Sequence, residues 1–328
     1  MTKKIKNLTG PGETTRYGME ATDLGIPVRM PDGRLLFIFG DTFKEARVGG
    51  GDWRSPVGLV SSTKNLEEGI TFSSAAGSDP GYARQLLPYH HGTKVNGKFV
   101  STVLPTDAIV IDNKIYLHVM VCQELGKVHW TEIHVSEDNG KTWKHTGENI
   151  PGDKWGGQFQ MITWESGDDN YVYIYSTGFQ RDKGIILSRV PKGKITDHKA
   201  YESWGRDANR WAWGNDPTEI LPGKFGELNL RKIENRWVFT FFDAGHYRID
   251  SLILNSPAAN LLTAPRISIC HGGAWGKESD TVVAQLYGGY VIPGSTLQNL
   301  HVVISQWKTQ DGWPYRCMQF RTSLLPGG

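Results

Sequence analysis

Short apolar runs separated by turn residues recur along the whole chain and constrain its fold more than any other feature. The runs fall into five groups, at residues 21–62, 107–143, 158–190, 227–255 and 281–322. No stretch sustains the period of three to four residues that an amphipathic helix needs, whereas strand-length alternation is frequent. We therefore predict an all-β chain that forms one five-bladed β-propeller domain over residues 1–328. A β-sandwich of similar length is the structural alternative.

The composition argues against several classes of function. The chain has 36 lysines and arginines against 34 aspartates and glutamates, a formal net charge of +2. Because the charges form no block of one sign, we expect no nucleic-acid partner. No apolar run is long enough for a helix that crosses a membrane, so we expect no membrane insertion. The first nine residues, MTKKIKNLT, precede no hydrophobic segment and do not resemble a secretory signal, which leaves the localisation open.

Cysteines and histidines show no metal-binding pattern. The three cysteines, Cys122, Cys270 and Cys317, are far apart in the sequence, and we expect buried free thiols. The histidines show no spacing typical of a zinc site. We expect no required cofactor, while a structural calcium ion at the propeller axis stays an open alternative. The sequence does not predict the oligomeric state.

Residues 21–43, ATDLGIPVRMPDGRLLFIFGDTF, predict a β-hairpin that carries two aspartates. Pro31 and Gly33 supply the turn between two apolar runs. Asp23 precedes the first run and Asp41 follows the second, so both lie at the open end of the hairpin on strands about 4.8 Å apart. Two neighbouring carboxylates can serve as an acid/base pair. The alternative is that both are solvated strand-end residues without a chemical role.

A second local motif supports the propeller. Residues 136–143, SEDNGKTW, match the Asp-box turn found on blades of sialidase-like propellers. In such a turn Asp138 would accept hydrogen bonds from turn amides, Gly140 would relax the backbone and Trp143 would pack between strands. Asp-boxes lie on the outer rim of a propeller, so the motif predicts a fold and not a catalytic site.

Polar residues recur just before the predicted inner strand of each group, where they would converge on the propeller axis. They are Asp23, Asp107, Gln158 with Gln160, Glu227 with Asn229, and Tyr287 or Tyr290. A carboxylate held near the axis is costly unless it is paired or functional. Asp243 follows the second strand of the fourth group, as Asp41 does in the first, and is the main rival for a catalytic role.

Aromatic residues in loops and at strand ends favour a carbohydrate substrate. A tryptophan offers a flat apolar face to a sugar ring and an N–H to a hydroxyl group. The tryptophans at such positions are Trp53, Trp130, Trp155, Trp211 and Trp213. For more than half of them we expect simple packing between blades. Arg54, His91 and His246 are expected near the site at the propeller axis and are further candidates for substrate binding.

The motifs at 22–26, TDLGI, and at 39–43, FGDTF, resemble the N-terminal signature of the DUF4185 family. That family includes the endo-D-arabinanases of glycoside hydrolase family 183, which act on mycobacterial cell-wall arabinan. The resemblance implies a glycoside hydrolase that cleaves α-linked D-arabinofuranose in arabinogalactan and lipoarabinomannan. It places the two essential aspartates at Asp23 and Asp41.

The same resemblance implies an inverting reaction, with two carboxyl groups about 6.5–9.5 Å apart. The expected roles are Asp23 as the base and Asp41 as the acid. The absence of a signal sequence departs from the secreted members of the family. It would suit a phage-encoded protein, either virion-associated or released at lysis, or a trimmed chain.

Two other functions stay open at this point. One is a different propeller glycosidase, either L-arabinanase-like or sialidase-like. A sialidase needs an arginine triad to bind the carboxylate of its substrate, whereas the residues predicted at the propeller axis are mostly acidic or amide. The other is a non-catalytic glycan-binding propeller, such as a phage receptor-binding or tail protein. Such a protein has no need of the adjacent Asp23 and Asp41, so the pair favours an enzyme.

Overall fold

The computed structural model describes residues 1–208 and 210–325, and its sheets confirm the predicted five-bladed propeller. The first strand, β1 (Lys3–Asn7), belongs to the last blade. Blade one contains β2 (Ala21–Arg29), β3 (Leu35–Phe43), β4 (Val57–Ser61) and β5 (Ser74–Ala75). A separate hairpin of β6 (Thr93–Val95) and β7 (Lys98–Val100) precedes blade two. Blade two contains β8 (Thr102–Ile111), β9 (Lys114–Gln123), β10 (Lys127–Ser136) and β11 (Lys144–Pro151).

In the remaining blades neighbouring strands are also antiparallel, except that β21 pairs with β20 in parallel. Blade three contains β12 (Met161–Ser166), β13 (Tyr171–Thr177), β14 (Ile186–Pro191), β15 (Glu202–Asp207) and β16 (Arg210–Trp213). Blade four contains β17 (Phe225–Ile233), β18 (Arg236–Asp243), β19 (Arg248–Leu254), β20 (Arg266–Gly273) and β21 (Val282–Ala284). Blade five contains β22 (Leu286–Val291), β23 (Leu300–Trp307), β24 (Tyr315–Thr322) and finally β1.

Helices contribute little to the described part of the chain. Short 3-10 helices lie at Thr15–Tyr17, Leu66–Glu68, Lys154–Gly157, Lys192–Lys194 and His198–Ala200. Within residues 1–208 and 210–325, no helix has the length and apolar character needed to cross a membrane.

The predicted groups stop short of the true blade edges. Group one was predicted to end at residue 62 and group two at 143, but their sheets extend to Ala75 and Pro151. The outer strands were not predicted because their sequences lack apolar alternation, as in β11, KHTGENIP. An outermost strand packs less of its surface against neighbours, so polar residues are tolerated there.

The inner strands form a ring around the axis. β2, β8, β12, β17 and β22 each contact the inner strand of the next blade, and β22 returns to β2. β1 pairs with β24 in antiparallel register, with Lys3 opposite Arg321 and Asn7 opposite Met318. The first and last strands of the chain therefore close the ring within one sheet.

The Asp-box turn has the predicted local structure. Asp138 Oδ1 accepts hydrogen bonds from the backbone N–H groups of Lys141 (3.1 Å) and Thr142 (2.9 Å). Gly140 has φ +79°, a backbone conformation that glycine adopts without strain. The neighbouring Asn139 side chain accepts from the backbone N–H of Asp32, in the turn of the blade-one hairpin. The Asp-box therefore lies at the turn end of that hairpin, away from Asp23 and Asp41.

Candidate active site

A double irregularity in the first hairpin aims both aspartates into the interior of the ring. β2 and β3 extend beyond the predicted runs, so Asp23 and Asp41 lie inside strands instead of beyond their ends. Thr22 pairs with Thr42 and Leu24 pairs with Phe39, which leaves Asp23 opposite the two residues Gly40 and Asp41. Bulges of this kind redirect side chains and are frequent beside active sites.

The two aspartates line a cavity of about 430 Å³ at one end of the ring. All five blades contribute to its wall, which is mainly apolar. Its lining includes Asp23, Asp41, Phe43, Leu104, Thr106, Met120, Met161, Phe179, Arg181, Glu227, Phe242, Tyr287, Tyr290, Trp307 and Tyr315. An apolar pocket with a few converging charged groups is the usual form of a small-molecule or substrate site.

Asp23 is held by two phenol groups. Tyr287 Oη donates a hydrogen bond to Asp23 Oδ2 (2.9 Å), and Tyr315 also bonds to this carboxyl group. Asp23 Oδ1 is buried and has no hydrogen-bond partner. Burial, followed by the charge of Asp41, raises the pKa of Asp23 to about 8, although the two tyrosines oppose the rise and Glu227 adds to it. At neutral pH the free protein therefore keeps a proton on Asp23.

Asp41 lies in a different environment. Trp53 Nε1 (2.7 Å) and Thr102 Oγ1 (2.6 Å) both donate to Asp41 Oδ1. Burial raises the pKa of Asp41, but the hydrogen bonds from Thr102 and Trp53 and the nearby His91 oppose the rise. The pKa of Asp41 is nevertheless raised overall, although two donors on one oxygen favour the ionised carboxylate, so the two aspartates differ in the groups that set their protonation.

A third carboxylate shares the cavity with an arginine. Arg181 Nη2 donates to Glu227 Oε1, while Glu227 Oε2 is buried without a hydrogen-bond partner. The guanidinium group lies 5.0 Å from the ring centroid of Tyr287 and 5.2 Å from that of Phe242. Burial lowers the pKa of Arg181, but the adjacent Glu227 carboxylate outweighs it and the net pKa is raised. This pair places a free acceptor oxygen beside the two aspartates.

Asp107 does not line the cavity but makes contacts between blades. Arg231 makes two hydrogen bonds to it, Nη2 to Oδ1 (2.6 Å) and Nη1 to Oδ2 (2.9 Å). Thr163 Oγ1 also donates to Oδ2 (2.6 Å). A bulge lies between Pro105 and Asp107, and the hydroxyl group of the intervening Thr106 lies 2.7 Å from His118 Nδ1. Asp107 therefore links blades two, three and four.

Three predicted amide residues also make structural contacts outside the cavity lining. Asn229 Oδ1 accepts from the backbone N–H of Val291 (2.9 Å) and joins blades four and five. Gln158 Nε2 donates to Glu219 Oε1 (3.0 Å), and Gln160 Nε2 donates to the Gly152 carbonyl (2.7 Å). Glu227 does line the cavity, as do Asp23, Tyr287 and Tyr290 of the same predicted series.

Asp243 and Arg54 likewise make structural contacts outside the cavity lining. Asp243 Oδ2 accepts from His246 Nδ1 (2.9 Å) and from Arg266, so Asp243 and His246 form an ion-pair cluster outside the cavity lining. Arg54 is buried and donates to the carbonyls of Gly18 and Ala83 (both 2.5 Å). It ties the segment after blade one to the N-terminal turn.

None of the five candidate tryptophans is among the residues that line the cavity. Trp130 is buried and donates to Glu132 Oε1 (2.7 Å), and Trp155 packs edge-on against Phe159. On the outer hairpin of blade three, Trp211 stacks on Trp204 and Trp213 packs against it at a tilt of 50°. Packing therefore accounts for these four, and Trp53 instead hydrogen-bonds Asp41.

Tyr315, Arg181 and Thr102 were not predicted from the sequence as site residues. Tyr287 was a candidate, but Tyr315, Arg181 and Thr102 reach the site from separate blades and lie in no motif. For Tyr315 the available signal was its position at the start of β24, opposite Trp307. The three cysteines are free and buried, as expected. Among the described residues, no group of three or more His, Cys, Asp or Glu side chains is placed to hold a metal ion.

Comparisons with known proteins agree with this architecture. A five-bladed β-propeller with a carboxylate-containing axial cavity is the class of protein that the fold and site define. The chain belongs to the DUF4185 family, a domain of unknown function, whose profile matches residues 9–321. An uncharacterised 35.9 kDa protein of Mycolicibacterium smegmatis is 28% identical over 346 residues, covering 98% of both chains. A notoamide biosynthesis cluster protein of Aspergillus versicolor is 30% identical over 322 residues, covering 91% of this chain and 84% of the fungal one.

Solved structures share the fold at low sequence identity. A suggested hydrolase of Bacteroides ovatus superposes with a TM-score of 0.65 at 12% identity, covering 94% of this chain and 87% of that one. A family 43 glycoside hydrolase of Xanthomonas citri, complexed with xylotriose, gives 0.56 at 10% identity, covering 97% and 89%. The native arabinanase of Bacillus subtilis gives 0.53 at 13% identity, covering 91% and 94%.

Proposed function

We propose that this protein is a glycoside hydrolase in which Asp23 and Asp41 form the acid/base pair. The observation that carries the proposal is their placement by one bulged hairpin in the same cavity, where Asp23 accepts from a tyrosine hydroxyl and Asp41 from Trp53 and Thr102. A purely structural aspartate pair would be expected to find full hydrogen bonding, whereas Asp23 Oδ1 is buried and unpartnered.

The finer proposal is an endo-D-arabinanase that cleaves α-D-arabinofuranosyl linkages in arabinogalactan and lipoarabinomannan. Membership of DUF4185 supports it, together with the family signature around Asp23 and Asp41. The apolar wall formed by side chains such as Met161, Phe179 and Phe242 suits the carbon-bound face of a furanose ring. Glu227 Oε2 is free to accept a hydrogen bond from a sugar hydroxyl group.

The proposed reaction is a single displacement with inversion. The ionised carboxylate takes a proton from a water molecule as the water oxygen bonds to the anomeric carbon. At the same time the bond from that carbon to the leaving oxygen breaks, and the protonated carboxyl group gives its proton to that oxygen. The protein ends with the proton moved from one aspartate to the other, and solvent exchange restores the starting state.

The roles of the two aspartates can be separated by experiment. The sequence led us to expect Asp23 as the base, whereas the raised pKa of Asp23 favours its protonated form, which is the starting state of an acid. Removing a general acid has little effect when the leaving group is a weakly basic phenol, whereas removing a general base abolishes turnover of every substrate. Comparing Asp23→Asn and Asp41→Asn on an aryl arabinofuranoside and on arabinan therefore identifies the acid as the variant that keeps activity on the aryl substrate alone.

The deciding test of the function is digestion of purified mycobacterial arabinogalactan by the wild type and both asparagine variants, with released oligosaccharides measured by chromatography. We expect release by the wild type and a loss of about 10²-fold or more in each variant. Release by all three proteins would refute the catalytic pair. Binding of the polysaccharide without release by the wild type would identify a glycan-binding propeller instead, in which the cavity recognises sugar without chemistry.

A further inference from the structure

Trp53 does not present an open face to the cavity. The imidazole ring of His91 stacks on the indole with 4.1 Å between ring centroids and 14° between planes. Phe43 also stacks on it, at 6.0 Å and 26°. Neither Trp53 nor His91 is among the cavity-lining residues, although Trp53 Nε1 donates to Asp41. Trp53 therefore contacts Asp41 from outside the cavity lining, with His91 stacked on its indole ring.

The amide of Gln85 is fixed in one orientation. Its Nε2 donates to the carbonyls of Leu87 (2.9 Å) and Tyr89, and its Oε1 accepts from the backbone N–H of Ser55 (3.1 Å). A flipped amide would place its oxygen against two carbonyl oxygens and its nitrogen against an N–H. Gln85 Oε1 is therefore an acceptor for whatever lies beside it.

His91 lies between two such acceptors. Its Nε2 is 3.0 Å from Gln85 Oε1, and its Nδ1 is 2.9 Å from the backbone carbonyl oxygen of Ser101. A neutral imidazole carries only one N–H and would leave one nitrogen lone pair facing an oxygen. Both contacts become hydrogen bonds only when the ring is the doubly protonated imidazolium.

We propose that His91 is a positioning residue whose imidazolium, stacked on Trp53, holds the indole N–H on Asp41 and favours the ionised form of that carboxylate. The effect on catalysis rests on the proposed function, but the electrostatic effect does not. In the described part of the chain, the recorded contacts of the His91 ring are with uncharged groups, namely Trp53, Gln85 and the Ser101 carbonyl. Asp41 is the ionisable group whose charge the ring influences.

The anchoring of the segment that carries His91 supports this role. Tyr89 Oη donates to Glu132 Oε1 (2.5 Å), a buried carboxylate of blade two that also accepts from His134 Nε2 (2.9 Å). Ser101, which accepts from His91, is followed by Thr102, the second donor to Asp41. One short stretch of chain therefore sets both the imidazole and the threonine hydroxyl against the same carboxylate.

The direct test is NMR spectroscopy of the side chains, which needs no substrate. In the wild type at pH 7, the ¹⁵N shifts of the His91 ring should be those of an imidazolium, and a neutral tautomer would overturn the proposal. In H91F, which keeps an aromatic ring on Trp53 but removes the charge, the carboxyl ¹³C titration of Asp41 should move about one pH unit upward. The matched control is His90→Phe, because His90 is the exposed neighbour and its variant should titrate like the wild type.

Activity gives a second readout. The limb of the kcat pH profile that Asp41 controls should move to higher pH in H91F, with KM changed less than twofold, because His91 does not reach the cavity. An unshifted Asp41 titration in a folded H91F protein would refute the positioning role. An inactive wild type that still shows the imidazolium and the shifted titration would refute the proposed function while leaving this inference intact. If H91F fails to fold, the wild-type ¹⁵N measurement still decides.

Discussion

Gly40 gives the most direct test of the hairpin geometry, because a single methyl group there collides with Asp23. A Cβ atom built on Gly40 would lie 2.4 Å from Asp23 Oδ1 and 3.1 Å from Leu24 Cδ1. Ordinary contacts of this kind are no closer than about 3.4 Å, so the carboxyl group must move by roughly 1 Å. Gly40 is not among the glycines with positive φ, so alanine adds no backbone strain.

We expect Gly40→Ala to lower the reaction rate strongly and the stability of the fold only slightly. Asp23 Oδ1 is the free end of a side chain and can move, but only by disturbing the hydrogen bond from Tyr287. A misplacement of about 1 Å in a reacting group can cost about 100-fold in rate, equivalent to about 2.7 kcal/mol. We expect kcat on arabinan to fall by about that factor while the melting temperature changes by only a few degrees.

The assay is steady-state release of reducing ends from arabinogalactan, with thermal unfolding followed in parallel. Gly193→Ala is the matched control, because Gly193 lies in a surface turn of blade three and a Cβ atom there meets nothing within 4 Å. A Gly40→Ala protein whose rate stays within threefold of the wild type would refute the argument that Asp23 must occupy its observed position.

Two further predictions concern buried charges. Arg231→Met removes the guanidinium that pairs with the fully buried Asp107, so the free energy of unfolding in urea should fall by about 3–5 kcal/mol. Adding Asp107→Asn should recover part of this loss. An unchanged urea midpoint would contradict the structural role of the pair. Because the pKa of Asp23 is raised from 3.8 to about 8, the folded state binds this proton more tightly than the unfolded state does, and stability is lost as the pH rises through that range. Asp23→Asn removes the titrating group, so the difference in unfolding free energy between pH 5 and pH 8 should be smaller in the variant than in the wild type, and equal differences would argue against the raised pKa.

The parts of the site that lie within one hairpin were predictable from the sequence. Turn residues and apolar runs at 26–30 and 35–39 were enough to bring Asp23 and Asp41 together, because strand pairing in a hairpin is local. The bulges that aim them inward were not predictable, since they depend on packing of Leu24 and Gly25 against blade five, where Ser305 accepts the backbone N–H of Leu24.

The parts that come from different blades could not be read from local patterns. Asp107 was expected at the axis because it precedes an apolar run, but a bulge lies beside it, and its carboxylate bonds Thr163 and Arg231 instead of lining the cavity. A shift of one residue moves a side chain to the opposite face of a strand. Arg181 and Tyr315 reach the cavity only through the closure of the ring, which no short segment encodes.

The pairing of β1 with β24 also has a consequence for how the protein is made. Residues 3–7 pair with residues 318–321, so a growing chain keeps β1 as an unpaired edge until residues 318–321 have been synthesised. Asp23 and its partner Tyr315 are likewise united only at that stage. Completion of the cavity is therefore coupled to the synthesis of β24, and a ribosome-bound fragment that lacks β24 would hold the aspartates without the phenol that helps to position one of them.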